Sequence, residues 1–228
     1  MIKRIMGLLL LTGVLLLAGC GAGAGTAAGS ASASAAGSAP APHSAKTVEP
    51  LPATLHADAL DDCTFAAGFQ ASDVVLNDDG MMVVHLTVYD YELFDLVDIS
   101  QLAAGDTLVI DKKSMAVKSV QRDESGMVTV NGGLENGGCE LVTDEDGVFY
   151  ENMMDDEKSY YRVGEATLPI SQDFLFTDSS QLNSPEKKSY AGDFLSDMKD
   201  SDRTFTPNAT TVTVEDGRIT GITQIYVP

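Results

Sequence analysis

The sequence predicts a mainly β protein: an antiparallel, barrel- or sandwich-like domain with one short helix near residues 185–199. Three observations carry this expectation. Residues 82–89 alternate, with Met82, Val84, Leu86 and Val88 on one side and Val83, His85, Thr87 and Tyr89 on the other, the period of two that marks a half-buried strand. Turn signals recur at short intervals: Asn77-Asp78-Asp79-Gly80, Glu124-Ser125-Gly126, Asn131-Gly132-Gly133, Asp146-Gly147 and Asp216-Gly217. Asp-Gly and Asn-Gly supply the positive φ angles of tight hairpins. One stretch is helical in pattern, because Tyr190, Phe194 and Met198 fall at i, i+4 and i+8, one face of a helix.

Strands are expected at 82–89, 107–111, 115–120, 126–130, 140–143, 148–150, 159–163, 166–170, 174–177, 210–215 and 218–227. Asp216-Gly217, between Val212 and Val214 on one side and Ile219 on the other, is the clearest hairpin. Residues 97–110 read as a turn-like segment closed by Gly105-Asp106 and followed by a strand. That phrase is similar to those of small β-barrel modules, a generic likeness that implies a barrel-like element and no activity. For the helix, Ser184 caps, Pro185 fits the first helical position and Glu186 follows, while Gly192 weakens it. Many short strands at short spacing point to a closed or double-layered β domain.

The amino terminus has a different composition. Lys3 and Arg4 precede an apolar run at 5–17, which fits the core of a signal peptide and is short for a membrane span of ~20 residues. The run ends in Leu17-Ala18-Gly19-Cys20. This motif resembles the lipobox of bacterial lipoproteins. The resemblance covers residues 1–20 and implies removal of 1–19, a diacylglyceryl group on the Cys20 thiol, and a place on the extracytoplasmic face of the cell membrane. Residues 21–42 consist only of Gly, Ala, Ser, Thr and Pro. Such a segment has nothing large to bury and is expected to act, within a stretch 20–50, as a flexible tether. The folded domain is expected over 51–228.

The chain has 34 acidic against 14 basic residues, a formal charge of −20. That balance excludes a nucleic-acid partner, whose phosphates require Lys and Arg. It also repels anionic surfaces and attracts cations. With Cys20 lipidated, Cys63 and Cys139 remain. In an exported chain without CxxC, an even pair favours a structural disulfide, worth ~4 kcal/mol for a loop of this length on the chain-entropy argument.

Catalytic patterns are sparse. The histidines are His43 in the tether, His56 and His85, and no G-x-S-x-G elbow or phosphate loop is present. Ser184…Lys187 and Ser196…Lys199 have S-x-x-K spacing without the partner motifs that would give it meaning. Hard-oxygen ligands for calcium are offered by Asp144 and Asp146 together with Asp155, Asp156 and Glu157, although no EF-hand spacing occurs. Trp is absent, so any aromatic platform must come from Tyr89, Tyr91, Tyr150, Tyr160 and Tyr161.

Two functions are compatible with these features. The first is a membrane-tethered extracytoplasmic lipoprotein acting as a non-enzymatic binding or structural module for an envelope ligand or protein. The alternative is a surface hydrolase using a carboxylate pair. A cleft holding two carboxylates, one with a raised pKa, favours the enzyme.

Overall fold

The structure, a computed structural model, describes residues 44–144, 146–154, 157–199 and 201–227. Cys20, the 21–42 segment and His43 lie outside the described residues, as do Asp155 and Asp156. No helix among the described residues is long and apolar enough to cross a membrane. The protein is mainly β, and its apolar side chains gather in two separate cores.

The first core is ringed by five strands: β2 (Cys63–Gln70), β4 (Met82–Tyr91), β12 (Tyr160–Ser179), β15 (Thr210–Glu215) and β16 (Arg218–Ile225). β12 closes the ring. Its first half pairs antiparallel with β4, from Tyr160↔Tyr91 to Pro169↔Val83. Its second half pairs parallel with β16, from Ile170↔Ile219 to Ser179↔Ile225. β16 pairs with β15, β15 with β2, and β2 with β4, all antiparallel. The switch of partner falls at Pro169, which has no N–H to donate, and at an irregularity between Ile170 and Leu175. Proline and a bulge together turn a strand through a barrel corner. Closure leaves these five strands without a free edge for most of their length.

Shorter elements extend the ring. β3 (Val74–Leu76) continues along β4, β13 (Lys187–Tyr190) pairs with the far end of β12, and β14 (Thr204–Phe205) pairs with β2. Inside, Val84, Leu86 and Val88 of β4 are at most 3% exposed, and His85, Thr87 and Tyr89 face outward, as the alternation predicts. Phe194 and Met198 of the helix α2 (Ala191–Lys199) enter the same core, with Phe194 ring centroids 5.1 and 4.9 Å from Phe174 and Phe176.

The helix is shorter than the sequence suggests. Residues 187–190 are strand, and Tyr190 is 69% exposed rather than aligned with Phe194 and Met198. Pairing with the twenty-residue β12 gives this stretch backbone partners, and Ser189 rather than Tyr190 turns inward. Tertiary pairing overrides the weak helical preference of a segment containing Gly192.

The second core is inserted between β4 and β12. Residues 93–151 leave one strand and return to its paired neighbour, so the insertion begins and ends at adjacent points of the ring. One sheet is β5 (Leu93–Phe94), β11 (Phe149–Glu151), β10 (Cys139–Thr143), β9 (Val128–Val130) and β8 (Val120–Arg122), in that order. The other is β1 (Thr47–Val48), β6 (Thr107–Ile110) and β7 (Lys113–Ala116). The helix α1 (Leu96–Ser100) packs with them. Asp95 caps α1 by accepting from the Val97 and Asp98 N–H groups at 2.8 and 3.2 Å. Arg122 donates to the carbonyls of Ile99, Ser100 and Leu102 at its other end, satisfying groups a helix cannot satisfy internally. Gly138 permits close packing here, since a Cβ would sit 1.9 Å from the Val130 carbonyl oxygen.

The ordered chain includes residues ahead of Leu51. Val48 is 1% exposed in the second core, and β1 pairs parallel with β6. Asp106 Oδ1 accepts from the Lys46 N–H at 2.8 Å, and Lys46 Nζ pairs with Asp98 at 2.8 Å. The Gly105-Asp106 phrase therefore serves two ends: Asp106 Oδ2 also accepts from the Ala103 N–H at 2.9 Å, closing its own turn.

The expected disulfide is not formed. Cys63 and Cys139 are both free thiols. Cys63 packs against the barrel core and Cys139 is fully buried in the inserted one. The two thiols belong to different cores, and burial pushes the Cys139 thiol up to about 12, with Glu151 and Glu140 adding to the shift.

Candidate functional site

Where the insertion leaves and rejoins the barrel, β4, β11 and β12 bring three tyrosines together. Tyr91 ends β4, Tyr160 opens β12 directly opposite it, and Tyr150 comes from β11. Tyr91 lies edge-on to Tyr150 and to Tyr160, with centroids 5.7 Å away in both cases and interplanar angles of 76° and 84°. Such perpendicular pairs present a ring face beside a ring edge. Into the corner points the Lys158 ammonium, 3.9 Å from the Tyr91 centroid and 4.9 Å from that of Tyr150. Both distances are within the ~6 Å range of a cation–π contact.

Three concavities meet at Tyr91. One of about 380 Å3 runs along the barrel side past Thr54, Phe65, Tyr89, Lys158 and Tyr160. A second, of about 540 Å3, is walled by the 50–54 segment, Asp90, Glu92, Lys112 and Tyr161. The third, of about 30 Å3, lies among Glu92, Asp111, Glu151 and Ser159 and has room for little more than a water. Leu51 N–H donates to the Leu93 carbonyl at 2.6 Å, which holds the 50–54 wall against the start of the insertion.

The carboxylates of this cleft are not equivalent. Burial raises the Glu151 carboxyl above its ordinary value, and Glu92 and Asp111 push in the same direction against a hydrogen bond from Ser159. Asp111 is held below its usual range by the neighbouring Lys113, 2.8 Å away. Glu92 accepts from the Asp111 N–H at 2.8 Å and so clasps the β6–β7 hairpin tip. That tip is strained: Asp111 and Lys112 have φ of +51° and +60° with no glycine between them, and a side chain in that region costs ~1–2 kcal/mol. Strain of this kind commonly gathers at binding sites. Burial pushes the Tyr160 and Tyr161 hydroxyls up to about 12, with Tyr91, Tyr150 and Asp90 adding for the first and Asp90 for the second. These rings remain neutral at any physiological pH.

Of the five tyrosines named from sequence, Tyr91, Tyr150 and Tyr160 form the cluster. Tyr161 flanks it and reaches Asp90 at 3.4 Å. Tyr89 also looks onto an outer groove of about 600 Å3, beside Gly68, His85, Glu165 and Thr167. His85 Nδ1 is hydrogen-bonded to Thr167 Oγ1 at 2.7 Å there. His56 is exposed on a turn. Lys158 and Glu92 were not singled out from sequence, although Glu92 follows Tyr91 directly and Lys158 precedes Tyr160 by two residues. Folding brings the Asp111-Lys112 tip beside them.

The calcium ligands suggested by sequence do not assemble among the described residues. Asp144 Oδ1 accepts from the N–H groups of Asp146 and Val148 at 2.9 and 3.2 Å, closing its own turn. Asp146 is exposed, and Glu157 accepts from the Asn208 side chain. Asp155 and Asp156 lie outside the described residues. Among the described residues, no group of three or more His, Cys, Asp or Glu side chains is arranged to hold a metal ion.

The chain matches no family model, and comparison with curated proteins and with solved structures gives no match either.

Proposed function

We propose that this protein is a membrane-tethered extracytoplasmic lipoprotein, anchored through Cys20, whose folded domain is a non-enzymatic binding module for an envelope ligand. The junction cleft is its recognition site. The observation that carries this reading is the Tyr91–Tyr150–Tyr160 cluster of half-buried rings, of which Tyr91 and Tyr160 line concavities of several hundred cubic ångströms. Ligand sites are commonly concave and aromatic, with a few polar groups that fix orientation. The anchor rests on the lipobox resemblance at Leu17-Ala18-Gly19-Cys20.

Two measurements test the reading. Cys20→Ala should move the protein out of the detergent phase or leave an uncleaved precursor; unchanged partitioning overturns the anchor. For recognition, the wild-type chain and Tyr150→Leu are compared for ligand retained from a cell-envelope extract. Retention that depends on Tyr150 supports the cleft, and equal retention by both removes it as the site.

One observation favours the hydrolase reading. Glu151 is a carboxyl raised by burial with two further carboxylates, Glu92 and Asp111, around it, the arrangement a general acid requires. The same cavity admits little more than a water, and Glu92 is engaged by the hairpin backbone, so the binding reading is preferred. Release of reducing ends from envelope polysaccharide by the wild type, abolished in Glu151→Gln, would reverse that preference.

A further inference from the structure

The ammonium of Lys158 sits in the corner of two perpendicular rings. Among the described residues no carboxylate forms an ion pair with it, although the protein carries 34 acidic residues. A lysine in so acidic a chain ordinarily turns to a carboxylate or to water. Here the fold has shaped an aromatic surface that takes a cation, and it has filled that surface with a cation of its own.

The hairpin that carries Lys158 explains the placement. An isolated bridge joins Asn152 to Lys158, and Met153 N–H donates to the Glu157 carbonyl at 2.7 Å. Lys158 therefore returns beside β11 just before Tyr160 opens β12. Its backbone is fixed, while the ammonium is held through a flexible four-carbon stem. A rotamer change takes the ammonium off the rings without disturbing a strand. Beyond Tyr91 the cleft continues past Asp90, Glu92 and Asp111, with Lys112 and Arg162 also on its wall, so carboxylates outnumber cations past the corner, and Arg162 is already paired with Glu165.

We infer that the Tyr91–Tyr150 corner is a binding site for an organic ammonium group, that Lys158 is its built-in competitor, and that the favoured ligand is a flexible aliphatic polyamine. One ammonium of the ligand replaces Lys158 on the rings. A second reaches the carboxylates past Tyr91, which a monovalent ammonium ion cannot do. Ring faces attract a cation through their quadrupole, and an excess of carboxylates along a cleft concentrates cationic ligands. This inference rests on the reading of the junction cleft as the recognition site.

The test is titration calorimetry of the full-length protein with spermidine and with tetramethylammonium, at constant ionic strength. Spermidine should bind saturably and more tightly than tetramethylammonium. Lys158→Met removes the competitor and should tighten spermidine binding about three- to tenfold, the range expected for one cation–π contact released by competition. Lys188→Met makes the same charge change on remote β13 and should leave affinity within twofold. Tyr150→Phe keeps the ring face and should bind like the wild type; Tyr150→Leu should weaken binding at least tenfold. Equal tightening by Lys158→Met and Lys188→Met would reduce the effect to net charge and overturn the competitor role. Spermidine binding unaffected by Tyr150→Leu would overturn the site. Absence of spermidine binding, with Tyr150-dependent retention from envelope extract intact, defeats the polyamine and leaves the cleft. Loss of both defeats the cleft as well.

Discussion

The barrel core draws on five strands that pair in a ring, whereas the inserted core lies between two short sheets that both keep their edges. Their contents differ as well. All eight phenylalanines are buried, six in the barrel core and two, Phe94 and Phe149, in the inserted one. Each buried aromatic removes roughly 150–250 Å2 from water. The inserted core relies instead on aliphatic side chains, a capped one-turn helix, and a strand supplied from ahead of the barrel, β1. The contrast teaches that the barrel holds itself together, and the insertion is held by its attachments.

The sharpest way to break this comparison is Phe176→Ala. It should cost ~3–5 kcal/mol, read as a lower urea midpoint with an unchanged slope. Because both ends of the insertion are barrel strands, loss of the barrel should expose Cys139 as well. A Cys139 thiol that stays protected while the barrel is unfolded would show two independent domains.

Leu141→Ala addresses the other side, with a cost of ~2–4 kcal/mol in the inserted core. The two thiols serve as reporters, one in each core. Native-state alkylation of Cys139 should accelerate strongly, and that of Cys63 should not. Equal acceleration at both would mean that the cores open as one cooperative unit.

Lys112→Gly relieves a left-handed side chain at the hairpin tip. It should stabilise the inserted core by ~0.5–1 kcal/mol after the entropy of glycine is deducted, seen as slower Cys139 labelling. Lost ligand retention in that stable variant would tie the strain to recognition.

The smallest effect is a pH dependence of opposite sign in the two regions. Glu151 at the junction has a raised folded pKa, chiefly from burial. The stability it lends is complete below about pH 4, the ordinary glutamate range, and is lost as pH rises through its folded value. Glu151→Gln should match the wild type in acid and melt higher at neutral pH. Asp178 in the barrel behaves inversely. Burial works to raise it, but hydrogen bonds from Ser180 and Arg203 hold it below its ordinary value. Its contribution is present above about pH 4 and fades as pH falls through the folded value. A neutral-pH melt of Glu151→Gln no higher than the wild type would remove the junction from this account.

Period-two alternation made β4 legible, and Asp216-Gly217, at φ of +50° and +68°, formed the hairpin expected of it. β2 escaped notice because Ala66, Ala67 and Gly68 interrupt its pattern with small residues, although four of its eight positions are buried. β12 read as three strands because Gly164-Glu165 and Ser171-Gln172-Asp173 punctuate it, yet both mark irregularities within one continuous strand. The tyrosines of the cleft were visible as strand residues. Lys158 was not, because nothing in a linear pattern places an ammonium over rings contributed by β4 and β11. The disulfide expectation failed for a related reason: cysteine count carries no information on which core encloses each thiol.

The parallel pairing of β1 with β6 has a mechanical meaning. Tension arriving along the chain from its amino-terminal side reaches the fold at Lys46 and Thr47, and so loads the inserted core before the barrel. Two strand residues and the Asp106 and Asp98 contacts bear that load, while the ring of five strands is shielded from it. A steady pull should therefore strip β1 from β6 at low force and release only a few residues. The cleft at Tyr91 would meanwhile stay anchored to a barrel that the pull has not yet touched.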